Sequence, residues 1–99
     1  YTNMFAWDVE KAISNYYKHG ISFEYATTVF LDNHALVVDD VKHSRVESRK
    51  IRVGAAEDGK ILTVVYTVRR LSNGKETIRI ISARQASRKE RKALTRLRN

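Results

Sequence analysis

The stretch RKIRVGAAEDGKILTVVYTVRRLSNGKETIRIISAR, residues 49–84, decides the fold. Two turn sequences, EDGK at 57–60 and SNGK at 72–75, separate three runs rich in β-branched and aromatic residues. An Asp-Gly or Asn-Gly pair between such runs is typical of a β-hairpin. The pattern therefore predicts consecutive antiparallel strands. They are residues 49–55, 61–69 and 76–84, with a short additional strand at 35–38.

Two helices are predicted before these strands. Asp8 and Ser22 are good N-caps, and each is followed by apolar residues at helical spacing. Residues 18–20, Lys-His-Gly, end the first helix, because cations and a left-handed glycine suit a helix C-terminus. The second helix ends near Asp32. The apolar stripes expected to face the core are Val9, Ala12, Ile13 and Tyr16, then Phe23, Ala26, Thr27, Phe30 and Leu31.

A third helix is predicted at the C-terminal end, where Ser87 and Glu90 form a capping box. Helices followed by strands, without strand–helix–strand alternation, indicate an α+β fold. We expect two N-terminal helices, a mostly antiparallel sheet of three to four strands, and a basic C-terminal helix. Ninety-nine residues suit one domain over residues 1–99.

The net charge of +8 is concentrated at the C-terminal end, where residues 84–99 carry seven basic side chains and one acidic one. Such a block suits a polyanion or an acidic partner, although a solvated basic helix would look the same. The residues predicted to bind RNA or a protein partner are Arg88, Lys89, Arg91 and Lys92.

Several classes of site and location are disfavoured by composition. The chain has no cysteine, which excludes disulfides and thiolate metal sites and fits a reducing compartment. Its apolar runs are too short for a membrane span or secretory signal, so we expect a cytoplasmic protein. The histidines lack metal-ligand spacing, and no phosphate-binding loop or nucleophile elbow is present. We expect neither a metal nor a cofactor.

Strand alternation selects the arginines of interest. Arg49 shares a strand face with Val53, and Arg79 is predicted to share one with Ala83. An arginine on an apolar face needs an anion, because an unpaired buried charge is costly. Arg52, on the opposite face of its strand, is expected to be a surface charge.

That anion is either an RNA phosphate or an internal carboxylate, for example Glu47 beside Arg79. Arg84 has the opposite strand parity from Arg79. The two can therefore meet in one cleft only if the strand ends or bulges near Ala83.

Candidate proton-transfer groups accompany these cations. They are Glu47, His43, Lys18, His19 and Tyr66. Three of them have a structural alternative: a helix end for His19, solvent exposure for His43 and core packing for Tyr66. Metal-free RNA cleavage needs a base for the 2′-hydroxyl, cations for the phosphate, and an acid for the leaving oxygen. The predicted roles are phosphate binding by Arg79, Arg49 and Arg84, a base at Glu47 or His19, and an acid at His43 or Lys18.

Three stretches resemble the BrnT family of bacterial type II toxins. They are FAWDVEKAISNYYKHGISFEYATTVFLD (5–32), HSRVESR (43–49) and IRIISARQASRKERKAL (78–94). The resemblance implies a RelE/ParE-like fold, a ribonuclease that halts translation, and a cognate ribbon-helix-helix antitoxin of the BrnA type. Through that antitoxin, the complex would bind operator DNA.

The family's patterned polar positions do not by themselves say which residues are catalytic. Two departures are Val9, where proline is common, and Lys42, where an acid often stands. Two alternatives remain open: a non-catalytic basic module that binds RNA or protein, and a toxin directed at gyrase. The matched positions are Lys11, Asn15, Lys18, His19, His43, Glu47, Arg49, Arg79, Arg84 and Glu90.

Overall fold

A computed structural model describes residues 4–43 and 48–98 and confirms the predicted α+β fold. Short 3-10 segments, Thr27–Leu31 and Val41–His43, join the regular elements. The helices and strands are β1 (Met4–Ala6), α1 (Val9–His19), α2 (Phe23–Ala26), β2 (Leu36–Asp39), β3 (Arg49–Ala55), β4 (Ile61–Arg70), β5 (Glu76–Gln85) and α3 (Arg88–Arg98).

The sheet is mixed, with strand order β1-β5-β4-β3-β2. The strands β2 to β5 pair antiparallel with their neighbours, and β1 lies parallel beside β5. The prediction of three to four strands therefore misses β1. Three residues, Met4–Ala6, are too few to show period-two alternation.

The two faces of the sheet pack against different helices. On one, which we call the core face, Leu62, Val64 and Ile80 pack with Phe23 and other residues of the α1–α2 region. The opposite face, which we call the α3 face, carries Val53, and there Leu94 of α3 is buried. Side chains alternate between these faces along each strand, so the strand register decides what each can contact.

The caps of α1 are as predicted, but its buried side is not. An oxygen of Asp8 accepts a hydrogen bond from the backbone N–H of Glu10 at 2.8 Å, and Gly20 ends the helix at φ 72°. Of the predicted stripe, however, Val9, Ile13 and Tyr16 are exposed. The helix lies against β5 through its Ala12 and Asn15 side, so the stripe prediction is wrong.

Asn15 explains this placement, because its side chain completes the edge of the sheet. Strand β1 pairs with β5 only as far as Arg79. Beyond it, the Asn15 amide donates to the Ala83 carbonyl at 2.8 Å and accepts from the Ala83 N–H at 3.1 Å. The amide also donates to the Ile21 carbonyl at 3.0 Å. A buried amide thus replaces a neighbouring strand.

The predicted second helix is one α-helical turn followed by the 3-10 segment ending at Leu31, so its expected α-helical continuity is wrong. Hydroxyls of Thr27 and Thr28 donate to the carbonyls of Glu24 and Tyr25, at 2.6 and 2.8 Å. Such side-chain bonds compete with the α-helical hydrogen-bond pattern.

Arg52 binds the end of the same 3-10 segment and is not the surface charge predicted. Its guanidinium Nε donates to the Val29 carbonyl at 3.2 Å, and Nη2 donates to the Asp32 carbonyl at 2.8 Å. The guanidinium also lies 5.2 Å from the centre of the Phe30 ring. These contacts fasten the segment to β3.

The capping box of α3 is confirmed. The Glu90 N–H donates to the Ser87 hydroxyl at 3.1 Å, and the Ser87 N–H donates to the Glu90 carboxylate at 2.8 Å. Leu94 is the buried anchor of this helix. Within residues 4–43 and 48–98, no helix is long and apolar enough to cross a membrane.

Candidate functional site

A β-bulge at Ile81 determines which side chains of β5 share a face. Val65 of β4 pairs with Ser82, whereas the next residue, Tyr66, pairs with Ile80. The extra residue shifts the alternation of β5 by one position.

The bulge brings Arg79 and Arg84 onto the α3 face together. Arg79 lies opposite Thr67 and Arg84 opposite Thr63, and both threonines face the same side of β4. The sequence argument required a strand end or a bulge near Ala83 for the two arginines to meet. The strand continues to Gln85, and the bulge at Ile81 brings the two arginines to one face. The grouping of Arg79 with Ala83 is wrong, because Ala83 is buried on the core face.

A row of three side chains crosses the α3 face, and we call it the arginine row: Arg49 on β3, Thr67 on β4 and Arg79 on β5. Directly opposite residues place their Cβ atoms about 5 Å apart, so each arginine flanks the threonine. Both arginines are half-buried. Arg79 has no hydrogen-bond or ion-pair partner among the described residues.

Sequence reasoning missed Thr67. Its side chain is only 1% exposed, and its hydroxyl has no hydrogen-bond partner within the described part of the chain. A buried hydroxyl without a partner is costly and uncommon in folded proteins. Only the pairing register could have singled it out, because only the register reveals its position between Arg49 and Arg79.

Arg84 forms an ion pair with Glu90 of α3. Its Nη1 donates to Oε1 at 2.7 Å and its Nη2 donates to Oε2 at 2.9 Å. The Thr63 hydroxyl donates to the same carboxylate at 2.9 Å. The hydrogen bonds from Arg84, the largest cause, lower the pKa of Glu90 to about 2. The anion that binds Arg84 is therefore an internal carboxylate, one of the two alternatives that the sequence left open.

Glu47, a predicted general base, lies outside the described residues, and so does the suggested Glu47–Arg79 pair. His43 closes the 3-10 segment that begins at Val41, but its side chain lies outside the described part. Tyr66 is a core residue, which was its structural alternative. Its side chain is 5% exposed, and its ring centre lies 4.9 Å from that of Phe30 in an edge-on arrangement.

Lys18 and His19 lie in the last turn of α1, away from the arginine row. With Lys11 they line a cavity of about 210 Å³ against Ile81 and Ser82 of β5. We call this cavity the α1–β5 pocket. The structure thus brings these two candidates together with Lys11, beside the bulge in the strand that carries Arg79.

The predicted binding residues of α3 are on its solvent-exposed surface. One of them, Arg91, also donates to the Ala86 carbonyl at 3.0 Å. The other three lie beside it on the same helix, giving α3 a strongly basic outer surface. These exposed cations are Arg88, Lys89, Arg91 and Lys92.

A larger cavity of about 520 Å³ lies between α1 and α2. Its lining is largely apolar and aromatic, and includes Trp7, Ile13 and Tyr16, with Glu24 at one side. It does not gather the proton-transfer groups. Among residues 4–43 and 48–98, no three histidine or acidic side chains are grouped so that they could hold a metal ion.

One family model matches most of the chain. A family model described as "Ribonuclease toxin, BrnT, of type II toxin-antitoxin system" matches residues 7–90. The crystal structure of the Brucella abortus ribonuclease toxin BrnT is similar, with a TM-score of 0.61 and 24% identity over 88% of this chain and 100% of that one. At 24% identity, this similarity shows only that the two chains share a fold. A search of curated proteins finds no match.

Proposed function

The chain belongs to the BrnT family of ribonuclease toxins of type II toxin–antitoxin systems, and from this membership we propose that it is a metal-independent endoribonuclease that inhibits translation. The observation that carries the proposal is the arginine row. Two half-buried arginines, Arg49 and Arg79, are the strand neighbours of the buried Thr67 on one sheet face. A phosphate is an anion that arginine side chains bind well.

The proposed reaction uses the nucleophile that RNA carries. A base removes the proton of a ribose 2′-hydroxyl, and the 2′-oxygen attacks the adjacent phosphorus. The bond from phosphorus to the 5′-oxygen breaks, and an acid protonates that oxygen. The products are a 2′,3′-cyclic phosphate and a 5′-hydroxyl. Negative charge grows on the phosphoryl oxygens in the transition state, where fixed guanidinium donors stabilise it.

In this proposal, Arg79 and Arg49 hold the scissile phosphate. Glu47 or His19 acts as the base, and His43 or Lys18 as the acid. Glu47 and His43 are favoured by chain position, because they lie within the six residues before Arg49 in the sequence.

Arg84 has a different proposed role from the phosphate contact that the sequence predicted. Its guanidinium is already held by both oxygens of Glu90. We propose that it positions α3 on the sheet, and so acts on RNA only through the helix that it anchors.

The proposed partner is a BrnA-like ribbon-helix-helix antitoxin acting in the bacterial cytoplasm, with the toxin in a RelE/ParE-like arrangement of sheet and helices. An acidic segment of the antitoxin would mask the cations of α3, and the hetero-oligomer would bind operator DNA through the antitoxin. Exposed basic side chains along one helix support an acidic protein partner.

The test is cleavage of a defined RNA by the purified chain in EDTA, with and without ribosomes. The expected products carry 2′,3′-cyclic phosphate and 5′-hydroxyl ends, identified by mass spectrometry. An oligonucleotide with 2′-deoxyribose at the cleaved position is the matched control and should stay intact. RNA binding without products would favour the non-catalytic module. DNA breaks in cells with intact RNA would favour a toxin directed at gyrase.

A further inference from the structure

The α1–β5 pocket joins cations and hydroxyls from two elements. Lys11, Lys18 and His19 come from α1, and Ser82 comes from β5. We propose that this pocket binds a second phosphate of the RNA, next to the scissile one. The inference rests on the proposed ribonuclease function, and it assigns the pocket a role in holding the substrate strand.

The lining of the pocket favours an anion. Two lysines and two serine hydroxyls, of Ser14 and Ser82, can donate hydrogen bonds into it. None of the described residues lining it is acidic. The remaining amide, of Asn15, is engaged with the carbonyls of Ile21 and Ala83, so it builds the wall and is not available to a ligand.

The size of the pocket suits a phosphate with part of its sugar. Its volume of about 210 Å³ is about seven times the roughly 30 Å³ that a water molecule occupies in the liquid. The cavity between α1 and α2 is larger, but its mainly apolar lining and Glu24 make it a poor site for a phosphate.

The pocket and the arginine row both include a residue of β5, Ser82 and Arg79 respectively. Ser82 lies on the same face as Arg79, because the bulge places both opposite β4 residues of one parity. Three strand residues span about 10 Å. Strand β1 ends opposite Arg79, so beyond this point the edge of β5 meets α1 instead of another strand. An RNA strand with its scissile phosphate at Arg79 can therefore place a neighbouring phosphate beside Lys11.

The test replaces Lys11 with glutamine and measures RNA affinity over a range of salt concentrations. The probe is an RNA oligonucleotide with 2′-deoxyribose at the cleaved position. Losing one phosphate contact should reduce the slope of log affinity against log salt by about 0.7. Lys75→Gln is the matched control, because it removes the same charge from the exposed β4–β5 turn. It should leave the slope unchanged.

Glutamine suits the third position of a helix, so Lys11→Gln should fold. A second measurement locates the ligand. Titration of the wild type with inorganic phosphate should shift the amide NMR signals of Ser82 and His19, and Lys11→Gln should weaken these shifts. A wild-type slope in Lys11→Gln, or equal slope changes in Lys11→Gln and Lys75→Gln, would overturn the inference.

Two outcomes distinguish an error in the second phosphate site from an error in the proposed ribonuclease function. If the wild type cleaves RNA but Lys11→Gln keeps the wild-type slope, only the second phosphate site is wrong. If the wild type cleaves no RNA while Lys11→Gln alone lowers the slope, the phosphate site stands and the catalytic proposal fails.

Discussion

Two arginines on one strand and one sheet face have different surroundings. Arg84 is held by both oxygens of Glu90, at 2.7 and 2.9 Å. Arg79, five residues earlier, lies beside Thr67 and has no ion-pair partner within the described part of the chain. Residue type, strand and face are therefore not sufficient to identify a phosphate-binding arginine. Among residues 4–43 and 48–98, an internal carboxylate pairs with Arg84 and none pairs with Arg79.

The Arg84–Glu90 pair belongs to a network that ties α3 to the sheet. The Glu90 carboxylate also accepts from Thr63 on β4 and from the Ser87 backbone at the helix start. Its side chain is 25% exposed, so the pair is partly shielded from solvent. Removing one partner would leave a half-buried charge without its counter-charge, which destabilises a fold.

The largest expected effect is on catalysis at Arg79. Arg79→Ala should lower kcat/KM for RNA about 100-fold, because a preorganised donor to the transition state is lost. Its free energy of unfolding should stay near that of the wild type. Cleavage kinetics and urea unfolding on the same preparation check both expectations.

Arg79→Lys is the informative control for this variant. It keeps the charge but loses the two-pronged geometry, so its activity should lie between those of the wild type and Arg79→Ala. Full activity in Arg79→Ala would show that Arg79 is not part of the catalytic site.

The second-largest expected effect is on the free energy of unfolding, at the Arg84–Glu90 pair. Glu90→Gln should lower the free energy of unfolding by about 2 kcal/mol, since it weakens charge-assisted hydrogen bonds. Its loss of activity should be smaller than that of Arg79→Ala. A double-mutant cycle with Arg84→Ala measures the coupling directly, and additive losses of stability would contradict the account.

The same pair should make stability depend on pH. The hydrogen bonds from Arg84, with smaller contributions from Ser87 and Thr63, lower the Glu90 pKa from 4.5 to about 2. A depressed carboxyl pKa contributes stability above its unfolded value and loses it as the pH falls through the folded value. The contribution should therefore fade between about pH 4.5 and pH 2. Urea unfolding across this window should show a shallower decline for Glu90→Gln than for the wild type.

The smallest effect concerns the two threonines on β4. Thr67→Val should raise the free energy of unfolding by about 1 kcal/mol, because it removes a buried hydroxyl that has no hydrogen-bond partner among the described residues. Thr63→Val should lower it by a similar amount, since that hydroxyl donates to Glu90 at 2.9 Å. Thermal or urea unfolding compares the two, and changes of the same sign would contradict the assigned surroundings.

Much of the sheet follows from local sequence. The hairpin turns at 57–60 and 72–75 and the alternation through Arg49 predict β3 to β5 closely. The bulge does not follow, because Ile80 and Ile81 read as ordinary strand residues. It arises from pairing with β4, and it alone moves Arg84 to the face of Arg79.

The site depends on contacts that periodicity along one element cannot reveal. Val9, Ile13 and Tyr16 form an apolar stripe, yet α1 turns Asn15 inward because the edge of β5 needs hydrogen-bond partners. For the same reason the sequence predicted that each arginine needs an anion but did not identify Glu90 as the partner of Arg84. The capping box identified Glu90, but the fold was needed to show that Glu90 also binds Arg84.

The most direct test of the division between the two arginines is NMR of their guanidinium Nε–H signals. A non-cleavable RNA, with 2′-deoxyribose at the cleaved position, is added to the wild type, and Arg79→Ala and Arg84→Ala provide the assignments. We expect the Arg79 signal to shift on binding and the Arg84 signal to stay in place, because Glu90 already holds the Arg84 guanidinium. A shift at Arg84 with none at Arg79 would contradict this expectation.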